Sequence, residues 1–244
     1  TVDGEDAGSD FELTLEMTTD RNATANFSLN QYELLVSAGT GGSASGSGTY
    51  AHGTSATLFA AAETGYSFVG WTVDGEDAGS GPELTLEMTT DRNATANFSL
   101  NHYELLVSAG TGGSASGSGT YAHGTSATLF AAAETGYSFV GWTVDGEDAG
   151  SGPELTLEMT APREAIAAFS LNHYELLVSA GTGGSASGSG TYAHGTSATL
   201  FAAAETGYSF VGWTVDGEDA GSDFELTLEM TTDRNATEIG RAHV

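Results

Sequence analysis

The chain has 244 residues, in which 33 acidic side chains face five arginines and no lysine, giving a formal net charge of −28. This balance argues against nucleic acid or an anionic membrane surface as a partner, because both are bound through clustered Lys and Arg. Cysteine is absent, so no disulfide stabilises the fold. No apolar run approaches the ~20 residues of a membrane-spanning helix.

A fixed period governs the sequence. Trp71, Trp142 and Trp213 are spaced 71 residues apart, and the four methionines keep the same interval. Solenoid and propeller repeats have shorter periods, roughly 20 to 50 residues, and the stacked kinds complete their cores with their neighbours. The longer period predicts that each copy is a small domain with a core of its own.

Joints between extended segments divide the array into five parts. We expect the C-terminal part of a truncated repeat at residues 1–29, full repeats at 30–100 and 101–171, and a repeat lacking its last strand at 172–237. Residue 1 falls in mid-repeat, so the chain is interpreted as a fragment. Residues 238–244, EIGRAHV, break the period and resemble the translation of a sequencing adapter. They are set aside as a non-native tail.

Alternating apolar residues predict an all-β repeat. The first strand places Tyr32, Leu34, Val36 and Ala38 on one face, and a glycine-rich turn ends it. The Gly/Ser-rich segment Ser43–Tyr50 is expected to form one weak edge strand.

The middle of the repeat contains two strands of different character. In Ser55–Ala61, one face carries Ala56, Leu58 and Ala60 and the other carries Thr57 and Phe59, as expected of a strand. Tyr66–Val73 is predicted to be apolar on both faces. One face carries Tyr66 and Phe68, and the other carries Val69, Trp71 and Val73. Such a strand is either buried on both sides or presents aromatic rings to a partner.

The second half of the repeat is predicted as a hairpin loop at residues 74–79, a strand at 83–88, a turn at 91–93 and a last strand, Ala94–Phe98. Comparison of the two full repeats shows which face of the last strand is buried. Ala94, Ala96 and Phe98 are unchanged, whereas Thr95 and Asn97 are replaced. We therefore expect the unchanged residues to face the core.

Three segments carry a resemblance to a known family: Gly46-Ser-Gly-Thr-Tyr50, Gly65-Tyr-Ser-Phe-Val-Gly-Trp71 and Ala96-Asn-Phe98. Together they resemble the bacterial repeat family of divergent internalin B-repeat-like domains, over essentially all of each repeat. The resemblance implies compact β-grasp-like domains, arranged in tandem like beads on a string in large secreted or surface-anchored bacterial proteins. It implies no catalytic residues.

Candidate metal ligands recur in two places. Asp74, Glu76 and Asp77 could offer oxygens to calcium, but their spacing is not that of an EF-hand loop, and a solvated hairpin tip is favoured. Histidines lie in three identical Tyr-Ala-His-Gly turns and at two junctions between repeats: His52, His123, His194, His102 and His173. One repeat brings too few ligands together for zinc, so surface turns and linker positions are favoured. We expect no metal and no cofactor.

Catalytic signals are weak throughout. The serines lack a nearby His and acid pair, and the glycine clusters lack the lysine of a phosphate-binding loop. The best ligand hypothesis is an aromatic platform of Tyr50, Tyr66 and Phe68 for a sugar or peptide. Core packing explains the same rings in a domain with few large apolar residues, and it is the favoured interpretation.

Three functions are compatible with these features. The leading hypothesis is a non-enzymatic stalk or spacer segment of an extracellular or cell-surface protein. The first alternative is a multivalent adhesin module that binds glycan or protein ligands and gains avidity from its copies. The second alternative is a set of accessory repeats of an extracellular enzyme. Near-identical copies favour the first two, because length and valence both grow by copying. We expect the segment to be monomeric and to make no membrane contact.

Overall fold

The computed structural model describes residues 1–242, which form strands and turns without any helix. This part of the chain therefore has no helix that could cross a membrane. The chain divides into two compact units, Thr1–Asn101 and His102–Val244. The expected all-β, β-grasp-like class with tandem repeats is confirmed.

The first full repeat contains eight strands. They are β1 Gln31–Ala38, β2 Gly42–Ser45, β3 Gly48–Ala51, β4 Thr54–Ala62, β5 Tyr66–Val73, β6 Glu76–Gly79, β7 Glu83–Met88 and β8 Arg92–Leu100. Five of them form a mixed sheet in the order β3-β1-β8-β5-β6, in which β1 and β8 are parallel. The other three form an antiparallel sheet in the order β2-β4-β7.

The two sheets pack face to face over one core. Trp71 and Leu34 come from the five-stranded sheet, whereas Leu58 and Met88 come from the three-stranded one, and all four are at most 1% exposed. Ala94 and Ala96 are also buried here, so the face of the last strand predicted from the unchanged residues is confirmed. Phe98 lies at the edge of this core, half-buried.

The next two repeats follow the same order. The second has β9 His102–Ala109, β10 Gly113–Ser116, β11 Gly119–Ala122, β12 Thr125–Ala133, β13 Tyr137–Val144, β14 Glu147–Gly150, β15 Glu154–Met159 and β16 Arg163–Leu171. The third has β17 His173–Ala180, β18 Gly184–Ser187, β19 Gly190–Ala193, β20 Ser197–Ala204, β21 Tyr208–Val215, β22 Glu218–Asp219, β23 Glu225–Glu229 and β24 Arg234–Ala242. Each has its own buried cluster, drawn from residues of that repeat alone.

The predicted single edge strand Ser43–Tyr50 is wrong. The segment forms two short strands in different sheets: β2 pairs with β4, and β3 pairs with β1. Gly46 has φ of 120°, which suits glycine where the chain leaves one sheet for the other. The Tyr50 hydroxyl donates a hydrogen bond of 2.8 Å to the Gly46 carbonyl and so fixes this crossing.

Strict alternation along β5 is also wrong. The pairing of β5 with β8 shifts register between Phe68 and Gly70, which marks a β-bulge. The extra residue turns Phe68 and Trp71 toward the same core, with ring centroids 5.9 Å apart, and leaves Val69 55% exposed. A Cβ on Gly70 would lie 2.9 Å from the Gly79 carbonyl oxygen, so glycine permits the close approach of β6.

The third repeat does have a last strand, contrary to the boundary expected at residue 237. Residues 238–242 of the presumed tail continue β24, which pairs with β17 and β21. Glu238 takes the place of Ala96 and Gly240 the place of Phe98. Residues 243 and 244 of the same tail lie outside the described residues.

Residues 1–29 contain only isolated bridges, Val2 with Ala23 and Val2 with Glu5. Met17 and Phe27 are 69% and 92% exposed, whereas Met88, the counterpart of Met17, is buried. Side chains that lie in or against the core of a full repeat are thus exposed in residues 1–29.

Candidate functional site

One arrangement of side chains recurs in all four copies at the turn after β5. Asp74 has φ of 53° and Gly75 φ of 90°, as in the tight turns that join two adjacent strands. Oδ1 of Asp74 accepts a hydrogen bond from the Asn93 backbone N–H at 2.9 Å, and Oδ2 accepts one from Arg92 at 3.1 Å. The carboxylate therefore ties the hairpin of β5 and β6 to the start of β8.

The same ion pair joins Arg21 to Asp3, Arg163 to Asp145 and Arg234 to Asp216. The backbone hydrogen bond from Asn93 is the main reason that the pKa of Asp74 lies below its usual value. Burial opposes this effect, and the Arg92 guanidinium lowers the pKa further. The carboxylate is thus kept ionised for a structural purpose. Sequence reasoning missed this pair, although an aspartate at one constant spacing before each of four arginines was the available signal.

The acidic segment considered for calcium does not converge on a point. Glu76 and Asp77 lie in strand β6 rather than at a loop tip, and Asp77 accepts a hydrogen bond from the Gly79 N–H. Asp74 is occupied by Arg92 and Asn93. Within residues 1–242 no three His, Cys, Asp or Glu side chains are grouped so as to hold a metal ion.

The structure does not bring the three rings of the candidate platform onto one surface. Tyr50 lies in β3 and Tyr66 in β5, and β1 and β8 separate these strands in the sheet. Three strand spacings amount to about 14 Å. Phe68 packs edge-on against Trp71 and Phe98, in the core. The rings therefore have separate neighbours: Tyr50 lies against the core and bonds Gly46, and Tyr66 lies over Gly41.

The histidines of the Tyr-Ala-His-Gly turns pack beside a tyrosine in the first strand of their repeat. Ring centroids are 5.8 Å apart for His52 and Tyr32, and 5.9 Å apart for His194 and Tyr174. His52 is exposed, as expected for a surface turn, whereas His123 and His194 are half-buried. The three turns have the same sequence, so the difference in the exposure of their histidines comes from the surroundings.

Apolar side chains also recur on the outer surface, a feature that the sequence analysis did not single out. Leu35 on β1 and Phe59 on β4 are each 53% exposed, and their counterparts in the other repeats are exposed to a similar degree. Phe59 lies opposite Glu83, on the three-stranded sheet. These residues repeat once per copy.

Comparison with known proteins identifies the repeat. The sequence matches the divergent InlB B-repeat domain at residues 32–102, 103–173 and 174–238. The chain therefore belongs to this family and consists of tandem B-repeats of the bacterial surface-protein type. No curated protein matches it.

Two solved structures are similar to the chain at low sequence identity. The Bacillus anthracis TIE protein is 8% identical, with 86% of this chain and 50% of that chain covered and a TM-score of 0.44. This chain thus spans about half the length of that structure. A 3Ig structure of titin domains I67-I69, in an E-to-A mutated variant, is 6% identical, with 86% and 95% covered and a TM-score of 0.17.

Proposed function

We propose that the chain is a non-enzymatic spacer, a stalk segment of a large bacterial protein that is secreted or held at the cell surface. The observation that carries the proposal is the closure of each repeat on itself. The three buried clusters contain residues of one repeat each, around Trp71, Trp142 and Trp213. A unit with its own core can be added or removed without exposing the core of its neighbours, so copying changes length alone.

The side chains that could carry chemistry support a structural role. Asp74 and Arg92 hold a turn, and Phe68 packs against the core. Membership of the divergent InlB B-repeat family supports an extracellular or cell-surface location. We propose that the segment needs no cofactor, binds no nucleic acid, makes no membrane contact and is monomeric.

The exact period provides a direct test. Deletion of residues 101–171 joins Leu100 to Asn172 and leaves the order of residues at the joint as it is between the other repeats. The maximum dimension measured by small-angle scattering should then fall by about the size of one repeat, roughly 25–30 Å by the usual scaling of size with length. A maximum dimension that hardly changes would contradict the spacer.

A multivalent adhesin is the second candidate, and the recurring exposed side chains favour it. Leu35 and Phe59 are more than half exposed and appear once per repeat. Weak binding at each copy would add up through avidity. The test is binding of the full chain to arrays of bacterial and host glycans and to host surface proteins. Affinity that falls when Phe59, Phe130 and Phe201 are all replaced by Ser would support the adhesin.

A further inference from the structure

The joint between the second and third repeats is fixed from both sides. Asn172 is the single residue between β16 and β17. Its backbone N–H donates to the Gly136 carbonyl at 2.8 Å, and its carbonyl accepts from the His194 N–H at 2.9 Å. Its side-chain oxygen also accepts a hydrogen bond of 2.6 Å from the Ser138 hydroxyl. Asn172 is therefore bonded to turns of both repeats.

The ring of His194 lies directly on the backbone of Gly136. A Cβ at position 136 would stand 2.0 Å from Cδ2 of the ring, far inside contact distance. Gly136 also has φ of 84°, a conformation that other residues adopt with strain. Tyr174 packs against the ring from within the third repeat, at 5.9 Å between centroids. At this contact the third repeat contributes the flat ring of His194, and the second repeat contributes a turn whose glycine, Gly136, has no side chain.

Equivalent residues in other repeats show what the contact changes. His52 occupies the position of His194 and is exposed, whereas His194 is half-buried with its Nδ1 enclosed and without a hydrogen-bond partner. Gly207 occupies the position of Gly136, with φ of 87° and nothing within 4 Å of a Cβ. The turns themselves are alike, so the burial of His194 comes from the neighbouring repeat.

We propose that each repeat carries a docking surface for another copy of itself. One end is the turn that bears Gly136, and the complementary end is the turn that bears His194, with Asn172 bonded to both. In the first unit Asn101 likewise donates to the Gly65 carbonyl and accepts from Ser67, and Asn30 accepts from His52.

A docked joint has one preferred orientation and resists bending. This inference adds a fixed joint to the proposed spacer, and it rests on the proposed function only for the purpose that the joint serves. The contact is short-ranged and must hold against the repulsion of many acidic side chains. A ring seated on a glycine suits this demand, because van der Waals contact and the backbone hydrogen bonds of Asn172 are little affected by distant charges.

The experiment uses the full chain, which has no cysteine of its own. Cysteines replacing Ser151 and Ser222, two exposed serines at the same position of successive repeats, would carry spin labels. Pulsed electron paramagnetic resonance should give a narrow distance distribution between them. His194→Ala should widen that distribution at least twofold, and His52→Ala, in the same turn of the first repeat, should leave it unchanged.

A glycine pair controls for local strain. Gly136→Ala and Gly207→Ala place the same side chain at nearly the same positive φ, but only position 136 faces a ring. We expect Gly136→Ala to displace or widen the distribution and Gly207→Ala to leave it as it is. A broad distribution in the parent chain, or equal effects of the two members of either pair, would overturn the docking surface. The scattering test of the spacer is independent, since an extended chain with loose joints would pass it.

Discussion

Trp71 is the largest fully buried side chain of the first repeat, and it is 1% exposed. Phe68 lies against it, 5.9 Å away and edge-on. A repeat of this size buries little surface, so one large ring contributes much of its stability. The other two tryptophans hold the same place in their own cores.

Trp71→Ala should therefore destabilise the first repeat by about 3–5 kcal/mol, enough to unfold a small domain. Calorimetry should show one transition moving to low temperature while the transitions of the other two repeats stay in place. Val69→Ala is the control, because Val69 lies in the same strand and is 55% exposed. Equal melting of the two variants would show that the indole is not a core residue.

The contribution of Asp74 to folding stability depends on pH. Its pKa is lowered in the folded state by the hydrogen bond from Asn93 and by Arg92. A carboxyl with a lowered folded pKa adds stability above its unfolded pKa, and this stability is lost as pH falls through the folded value. The loss thus occurs below the ordinary aspartate value of 3.8.

Asp74→Asn should lower stability at pH 7 by up to about 1 kcal/mol, the upper range for an exposed ion pair. Asparagine tolerates the positive φ of this position, so the lost charge is the main change. The difference in melting temperature between variant and parent should shrink as pH falls below the ordinary aspartate value of 3.8. Glu76→Gln, which removes an exposed acid of β6, should show no such convergence. A pH-independent difference would contradict the role of the carboxylate charge.

At the scale of elements, β24 differs from β8 and β16 because its sequence departs from the repeat. Glu238 is fully buried, and its Oε1 has no hydrogen-bond partner, while Oε2 accepts from the Gly181 N–H at 3.1 Å. Its carboxyl group lies against Gly184, as the Phe98 ring lies against Gly42 in the first repeat. A carboxyl group thus occupies the space of an aromatic ring.

Glu238→Ala should raise the stability of the third repeat by about 1–3 kcal/mol, the usual cost of a buried polar group left unpaired. Adding Gly240→Phe, which restores the repeat residue at that position, should raise it further by filling the space. Thermal unfolding of both variants would measure the gain. Glu225→Ala, at an exposed site of β23, is the control. A loss of stability in both Glu238 variants would show that the carboxyl group contributes favourably.

At the scale of the whole molecule, charge is the dominant property. A net charge of −28 makes the folded chain repel itself, and salt weakens this repulsion. Sodium, magnesium and calcium chlorides should therefore raise the melting temperature alike when compared at equal ionic strength. Ligand binding to the native state would instead add stability by mass action. A saturable rise with calcium but not with magnesium would reveal a specific site.

Several features of the fold could be predicted from the sequence because they depend on local pattern. The alternation in β1, β4 and β8 identified their buried faces correctly, including Ala94 and Ala96. Alternation failed at Phe68, where a bulge shifts the register, and at Ser43–Tyr50, where the chain changes sheets. Both failures have the same cause: pairing with a distant strand decides the register, and no local pattern encodes that strand.

The candidate site shows the same division. The charge of Asp74 is evident from the sequence, but its partner Arg92 lies at the start of a later strand, β8, and becomes a neighbour only on folding. His52 and His194 are identical in local sequence, yet one is exposed and the other is half-buried against Gly136. Contacts between repeats cannot be read from the sequence of one repeat.

The chain contains its own comparison of sequence with tertiary structure, because residues 1–24 and 214–237 are identical. In both places the sequence alone determines the turn: Asp3 and Asp216 have φ of 51° and 53°, and they pair with Arg21 and Arg234 respectively. The strands differ. Residues 214–237 complete β21 and contribute to β22, β23 and β24, which pair with strands earlier in their repeat, whereas residues 1–24 form only isolated bridges. A turn closes through neighbours in the chain, but a strand needs partner strands and a second sheet to bury its apolar face, and only the tertiary structure supplies them.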